Sequence, residues 1–131
     1  RIMQTTIGDI ATDDTPHWNH DLRVSLPSYP AGDACPVPSR VALQHLLWEN
    51  VGIMRDGKSL AEAAAILGNW QNRLTDAVDR PSWEMANLVT TGRLMTESAL
   101  LRTESRGAHY RWDYPAPEEK WRRHIVQVKH E

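Results

Sequence analysis

The 131 residues contain one cysteine, Cys35, so no intrachain disulfide can form, and a reducing compartment, the cytoplasm, is expected. No apolar run approaches the ~20 residues of a membrane-spanning helix, and no charged start with an apolar middle marks a signal peptide. No charge of one sign dominates: the formal net charge is -2, with acids and bases interspersed. That balance excludes the electrostatic footprint of a nucleic-acid or anionic-membrane binder, so neither partner is expected. The dinucleotide fingerprint G-x-G-x-x-G is missing, and residues 39 to 104 hold no strand pattern of useful length. An initiator methionine is missing too, Arg1 standing first, so the chain reads as a piece of a longer protein. Its length suits one domain with a modest core.

What is present divides into three stretches. Residues 1–38 carry five prolines, Pro16, Pro27, Pro30, Pro36 and Pro38, and no lasting period, which reads as a linker or extended arm. Residues 39–104 hold three amphipathic segments. Ser39 is a natural N-cap for a helix to about Arg55, with Leu43, Leu46, Leu47, Val51 and Met54 at helical spacing and Gly57 as its stop. Ser59 and Glu62 form a capping-box pattern for a second helix, whose apolar face is Leu60, Ala63, Ala64, Leu67, Trp70 and Leu74. Pro81 and Ser82 open a third and longest helix to about Thr103. Met85, Leu88, Gly92, Met95 and Ala99 form its stripe, and Leu94, Ser98 and Leu101 flank a second. Short connections between long helices predict an all-α fold, an antiparallel three-helix bundle running up-down-up in the manner of a spectrin repeat, with Gly92 allowing close helix approach. Residues 105–131 read as a motif loop, a short helix started by Pro117, and a tail in which "IVQV" makes a brief strand.

Several patterns suggest chemistry. "GIMRDGKS", Gly52 to Ser59, satisfies the phosphate-loop spacing, yet that loop needs a preceding strand and an acidic magnesium partner. Here each pattern residue has a structural job at a corner between two helices. "HWNHD" places His17, His20 and Asp21 at a metal-compatible spacing, but inside a proline-bounded segment that reads as an exposed polar loop. Ser105, His109 and Asp113 have the residue types of a hydrolase triad, which is defined by geometry rather than by sequence proximity. Glu118 and Glu119 suit the first turn of a helix, where negative charge complements the dipole. The densest stretch is "RTESRGAHYRWDYP", Arg102 to Pro115, with arginines, carboxylates, a histidine and aromatics around Gly107. It reads equally as a helix C-cap with Gly107 near the left-handed region and solvated charges, or as a docking loop whose arginine forks and rings anchor an interface. No catalytic, cofactor-binding or metal-binding residue is assigned.

"ESRGAHYRWDYP" followed by "EKWRRHIV" resembles the C-terminal helical domain of the succinate dehydrogenase and fumarate reductase flavoprotein family, and "SRGAHYR" with "LLWENVGIMRDGKSL" is most similar to its L-aspartate oxidase branch. The resemblance spans about Pro38 to Val126. It implies a piece of an FAD enzyme that oxidises L-aspartate to iminoaspartate, the first step of NAD biosynthesis in bacteria. It also implies that the flavin-binding and capping domains, with the FAD contacts and the catalytic side chains, lie earlier in the parent chain and are this domain's partners. The fragment itself is then inactive and binds no FAD. Glu104, Ser105, Arg106, Gly107, His109, Tyr110, Arg111 and Asp113 carry over as a docking or structural motif. A dehydrogenase or fumarate reductase subunit is the alternative within the family, and a stand-alone helical interaction module is the alternative outside it.

Overall fold

The computed structural model describes residues 21–29 and 35–129. Helix α1, Arg40–Val51, starts where Ser39 Oγ accepts the Ala42 N–H at 3.1 Å. It ends at Gly52, short of the expected Arg55, because Met54 and Arg55 leave the helix to form a two-residue strand, β2. Helix α2, Gly57–Arg73, is capped by Asp56, which accepts the Ser59 N–H at 3.0 Å and the Ser59 hydroxyl at 2.7 Å. Two readings are thereby corrected. Gly57 opens a helix instead of stopping one, and Ser59 is the third helical residue bonded back to the cap, since the charged carboxylate of Asp56 outbids a hydroxyl for the free N–H groups. Helix α3, Arg80–Leu101, likewise begins at Asp79, with Ser82 returning a bond in a full capping box.

The buried face of α2, Leu60, Ala63, Ala64, Leu67 and Trp70, is the one its periodicity indicates. It packs on α3, and α1 adds Leu43 and Val51. The stripe expected on α3 needs correction. Leu88 and Met95 are 40% and 53% exposed, and the inward row is Met85, Val89, Gly92, Thr96 and Ala99. A Cβ at Gly92 would sit 3.5 Å from the Leu47 methyls, an ordinary contact, so the helix approach there does not require glycine.

The described residues are mostly helical, with three helices as expected, but two small parallel sheets depart from an all-α fold. Strand β1, Leu22–Ser25, pairs with β4, Ile125–Val128, in the register Leu22 to Ile125. Strand β2 pairs with β3, Tyr110–Arg111. The short helix expected after Pro117 is a single 3-10 turn, Glu119–Trp121. Beyond β1 the chain crosses α2 and α3 as a strap. The Pro27 carbonyl accepts from Arg93, the Tyr29 hydroxyl donates to Glu97 at 2.8 Å, and the Tyr29 ring covers Gly68 so closely that a Cβ there would collide with it. Burial pushes both the Tyr29 phenol and the Glu97 carboxyl to higher pKa, while Arg93 offsets part of each shift.

Candidate functional site

The motif loop leaves the C-terminal end of α3 and folds back on itself. Arg106 and His109 exchange backbone bonds of 2.8 and 3.0 Å, closing a two-residue turn in which Gly107 takes φ 58°. The φ is left-handed as anticipated for this glycine, and a side chain there would be strained, but Gly107 serves a hairpin turn and not a helix C-cap, a position that Arg102 occupies at the end of α3. Directly before the turn, Glu104 is fully buried. Its two carboxylate oxygens accept from Arg102 at 2.8 Å, twice from Arg106 at 3.0 Å, and from the Glu118 N–H at 2.8 Å. Burial alone would raise its pKa; the bonds from Arg106, the Glu118 amide and Arg102 outweigh this and hold it at about 2. Arg102 also donates to the carbonyls of Trp121 and Arg123, both at 2.6 Å, and stacks over the Trp121 ring, which fixes the chain beyond the 3-10 turn. Ser105 closes the loop from within, its hydroxyl accepting the Arg111 N–H at 2.9 Å and donating to the Tyr114 carbonyl at 2.7 Å.

Arg111 is buried and joins two helix ends. Its fork meets Asp113 through bonds of 2.9 and 2.7 Å, and its remaining amine reaches the Leu100 carbonyl at 2.7 Å at the C-terminal end of α3. Asp113 in turn accepts the Gly57 N–H at 2.9 Å, at the start of α2. The bond from Arg111 keeps the Asp113 pKa low, against a smaller opposing effect of burial. A cation thus lies on the negative end of one helix and an anion on the positive end of another. A Cβ on Gly57 would meet Arg111 Nη2 and Asp113 Oδ2 at 2.9 Å each, so this glycine gives the ion pair its seat.

A third helix end is closed by Arg55, whose Nε donates to the carbonyls of Val51 and Gly52 at 3.2 and 2.9 Å, the last of α1. Arg55 Nη1 meets His109 Nδ1 at 2.9 Å, and His109 Nε2 meets the Arg102 carbonyl at 3.1 Å. Burial and the charges of Arg55, Arg111 and Arg102 depress the His109 pKa, against the bond to the Arg102 carbonyl. The Trp112 N–H donates to the Arg55 carbonyl at 2.8 Å, continuing the β2–β3 pairing.

The structure therefore brings Glu104, Ser105, Arg106, His109, Arg111 and Asp113 together around one turn, with Gly107 at its tip and Tyr110 on its outer strand. It does not assemble a triad from Ser105, His109 and Asp113, since each of their side chains is bonded to a different partner. The phosphate-loop pattern also falls away, as the α2 N-terminus that would receive a phosphate already holds the carboxylates of Asp56 and Asp113. His17 and His20 lie outside the described residues; Asp21 sits 3.4 Å from His124. Among the described residues no group of three or more His, Cys, Asp or Glu gathers for a metal. No helix among them is long and apolar enough to cross a membrane. Sequence reasoning passed over Arg55, Arg102 and Gly57 as site residues. Arg55 carried one available signal, a basic residue just past a helix end. The polar groups of the site are bonded within the chain, while Trp48, Ile53, Met54 and Trp112 stay more than half exposed. Met54 and Tyr110 are paired across β2 and β3, with the Trp112 ring edge-on to Tyr110 at 5.6 Å.

The family described as the fumarate reductase flavoprotein C-terminal domain matches residues 40–131. An uncharacterized FAD-dependent oxidoreductase of Methanocaldococcus jannaschii is 40% identical over a match covering 64% of this chain and 17% of that protein. The L-aspartate oxidase of Bacillus subtilis is 39% identical, with 66% of this chain and 17% of that one covered. Among solved structures, the Mycobacterium smegmatis Sdh1 complex in its apo form contains a chain 29% identical at a TM-score of 0.52, covering 72% of this chain and 18% of that one. The chain thus spans less than a fifth of the length of these proteins.

Proposed function

This chain belongs to the fumarate reductase flavoprotein C-terminal domain family, and from that premise we propose that it is the C-terminal helical domain of an FAD-dependent L-aspartate oxidase. The carrying observation is that the charged groups of the motif are bonded to one another and to helix ends within this chain. Such a cluster shapes a domain and offers no free acid, base or nucleophile to a substrate. The residues here do not fit FAD either, because the one helix start with a phosphate-type spacing is filled by two carboxylates. The flavin, held elsewhere in the parent protein, supplies the two-electron oxidation of L-aspartate to iminoaspartate. This chain contributes no atom to that step. The motif, Glu104 to Asp113, holds the domain in shape, and the face formed by exposed Met54 and Trp112 with half-buried Tyr110 docks against the flavin-binding and capping domains. The short connections 52–56 and 74–79 support reading the helices as an antiparallel up-down-up bundle, and the lone Cys35 supports placing the parent protein in the cytoplasm.

A second reading, the flavoprotein subunit of a succinate dehydrogenase or fumarate reductase, is favoured by the likeness to Sdh1. The full-length parent protein, purified and assayed with L-aspartate and with succinate, separates the two. A yellow, flavin-bound protein that consumes aspartate and not succinate is expected. Succinate turnover without aspartate turnover selects the second reading, and a purified protein free of flavin rejects both.

A further inference from the structure

His109 links the ends of two helices in a manner that specifies its protonation state. Arg55 Nη1, 2.9 Å from His109 Nδ1, belongs to a guanidinium, which can only donate. Nδ1 must therefore be bare. The Arg102 carbonyl, 3.1 Å from Nε2, can only accept, so Nε2 must carry the hydrogen. Both bonds are satisfied by one form alone, the neutral ring protonated at Nε2. A second proton would set N–H against N–H at Arg55 and place a cation among those of Arg55 on β2, Arg102 at the end of α3, and Arg111 on β3. The nearby carboxylates give little relief, since Glu104 is held by Arg102 and Arg106, and Asp113 by Arg111 and the Gly57 amide.

We propose that His109 is an acid-released latch: neutral, it ties the Arg55 cap of α1 to the Arg102 carbonyl beyond α3; protonated, it breaks that tie and leaves the 106–112 hairpin held at the corner between α1 and α2 by the β2–β3 pairing and the Asp113 bond to the Gly57 amide. The device is independent of which oxidoreductase the parent protein is. With the folded ring harder to protonate than the unfolded one, the unfolded state takes up the extra proton first. Stability is then complete above the ordinary histidine pKa of about 6.5 and falls with pH below it, by at most about tenfold in the folding constant per unit, until the folded ring protonates.

Two measurements on this chain test the latch. Ring 15N spectra should show His109 protonated at Nε2 at pH 8 and titrating below about 6.5. Denaturant unfolding between pH 8 and 5 should show a loss of folding constant on acidification that is smaller in His109→Gln, a variant with no proton to gain. Titration at or above the ordinary value, the Nδ1-protonated form at pH 8, or the same pH dependence in His109→Gln would each overturn the proposal. If that variant does not fold, the ring titration of the unaltered chain decides, and Arg55→Ala should move its midpoint upward.

Discussion

Glu104 shows how a carboxylate with no exposed surface is kept charged. Four donors from Arg102, Arg106 and the Glu118 amide replace the water it has lost. Removing one partner from a buried ion pair commonly costs about 3–5 kcal/mol, because the other is left uncompensated. Glu104→Gln should therefore lose stability of that order in urea unfolding at pH 7. The low pKa also sets a pH window. Its folded value, about 2, lies below that of the unfolded chain, so the unfolded state binds the proton first on acidification. The stabilisation is full above pH 4.5 and disappears as pH falls toward 2, where wild type and Glu104→Gln should converge. The sequence discloses that acids and arginines crowd this loop, but not which of them pair. Arg55 and Gly57 arrive from more than fifty positions away, and no local spacing encodes that meeting.

The three helices are legible because each carries what a helix needs locally, with recurrent Leu and Ala on one face and a polar cap before the first turn. Their boundaries are less so. Ser59 and Asp56 both suit an N-cap, and only the observed bonds show that the carboxylate is the cap and the hydroxyl its donor. Strands of two and four residues carry too few positions for an alternating pattern, so β1, β2 and β3 are hidden, while the β-branched residues of "IVQV" reveal β4. The apolar stripe of α3 is misjudged by one position because Val89, Thr96 and the polar strap contacts compete with Leu88 and Met95 for the same count. Two glycines separate what elements need from what they tolerate. Alanine in place of a helical glycine ordinarily gains up to about 1 kcal/mol, and Gly92→Ala should do so or be neutral, the methyl finding ordinary contact with Leu47. Gly57→Ala should instead cost about 1–3 kcal/mol, since its methyl enters the Arg111–Asp113 pair. Thermal unfolding of the two variants side by side checks the contrast.

Across the molecule, the segment before α1 is anchored at both ends of its described course, by β4 at Leu22 and by α2 and α3 at Tyr29. Leu22 is fully buried, so Leu22→Ala should cost about 2–5 kcal/mol in denaturant unfolding if the strand belongs to the cooperative fold. A loss below about 0.5 kcal/mol, the range of ordinary surface changes, would mean that it frays independently. This anchoring is beyond reach of a linear reading, because prolines and polar residues dominate the segment and its partners lie in other elements. The pairing of Leu22 with Ile125 also bears on synthesis. At ~5–20 residues per second, a ribosome releases the first strand roughly 5–20 s before the last one exists. Through that interval the three helices can assemble, but Leu22 has no strand to join. Within this domain the segment around Leu22 thus waits longest for its partner, and a message cut short just before β4 would leave its defect far upstream of the cut.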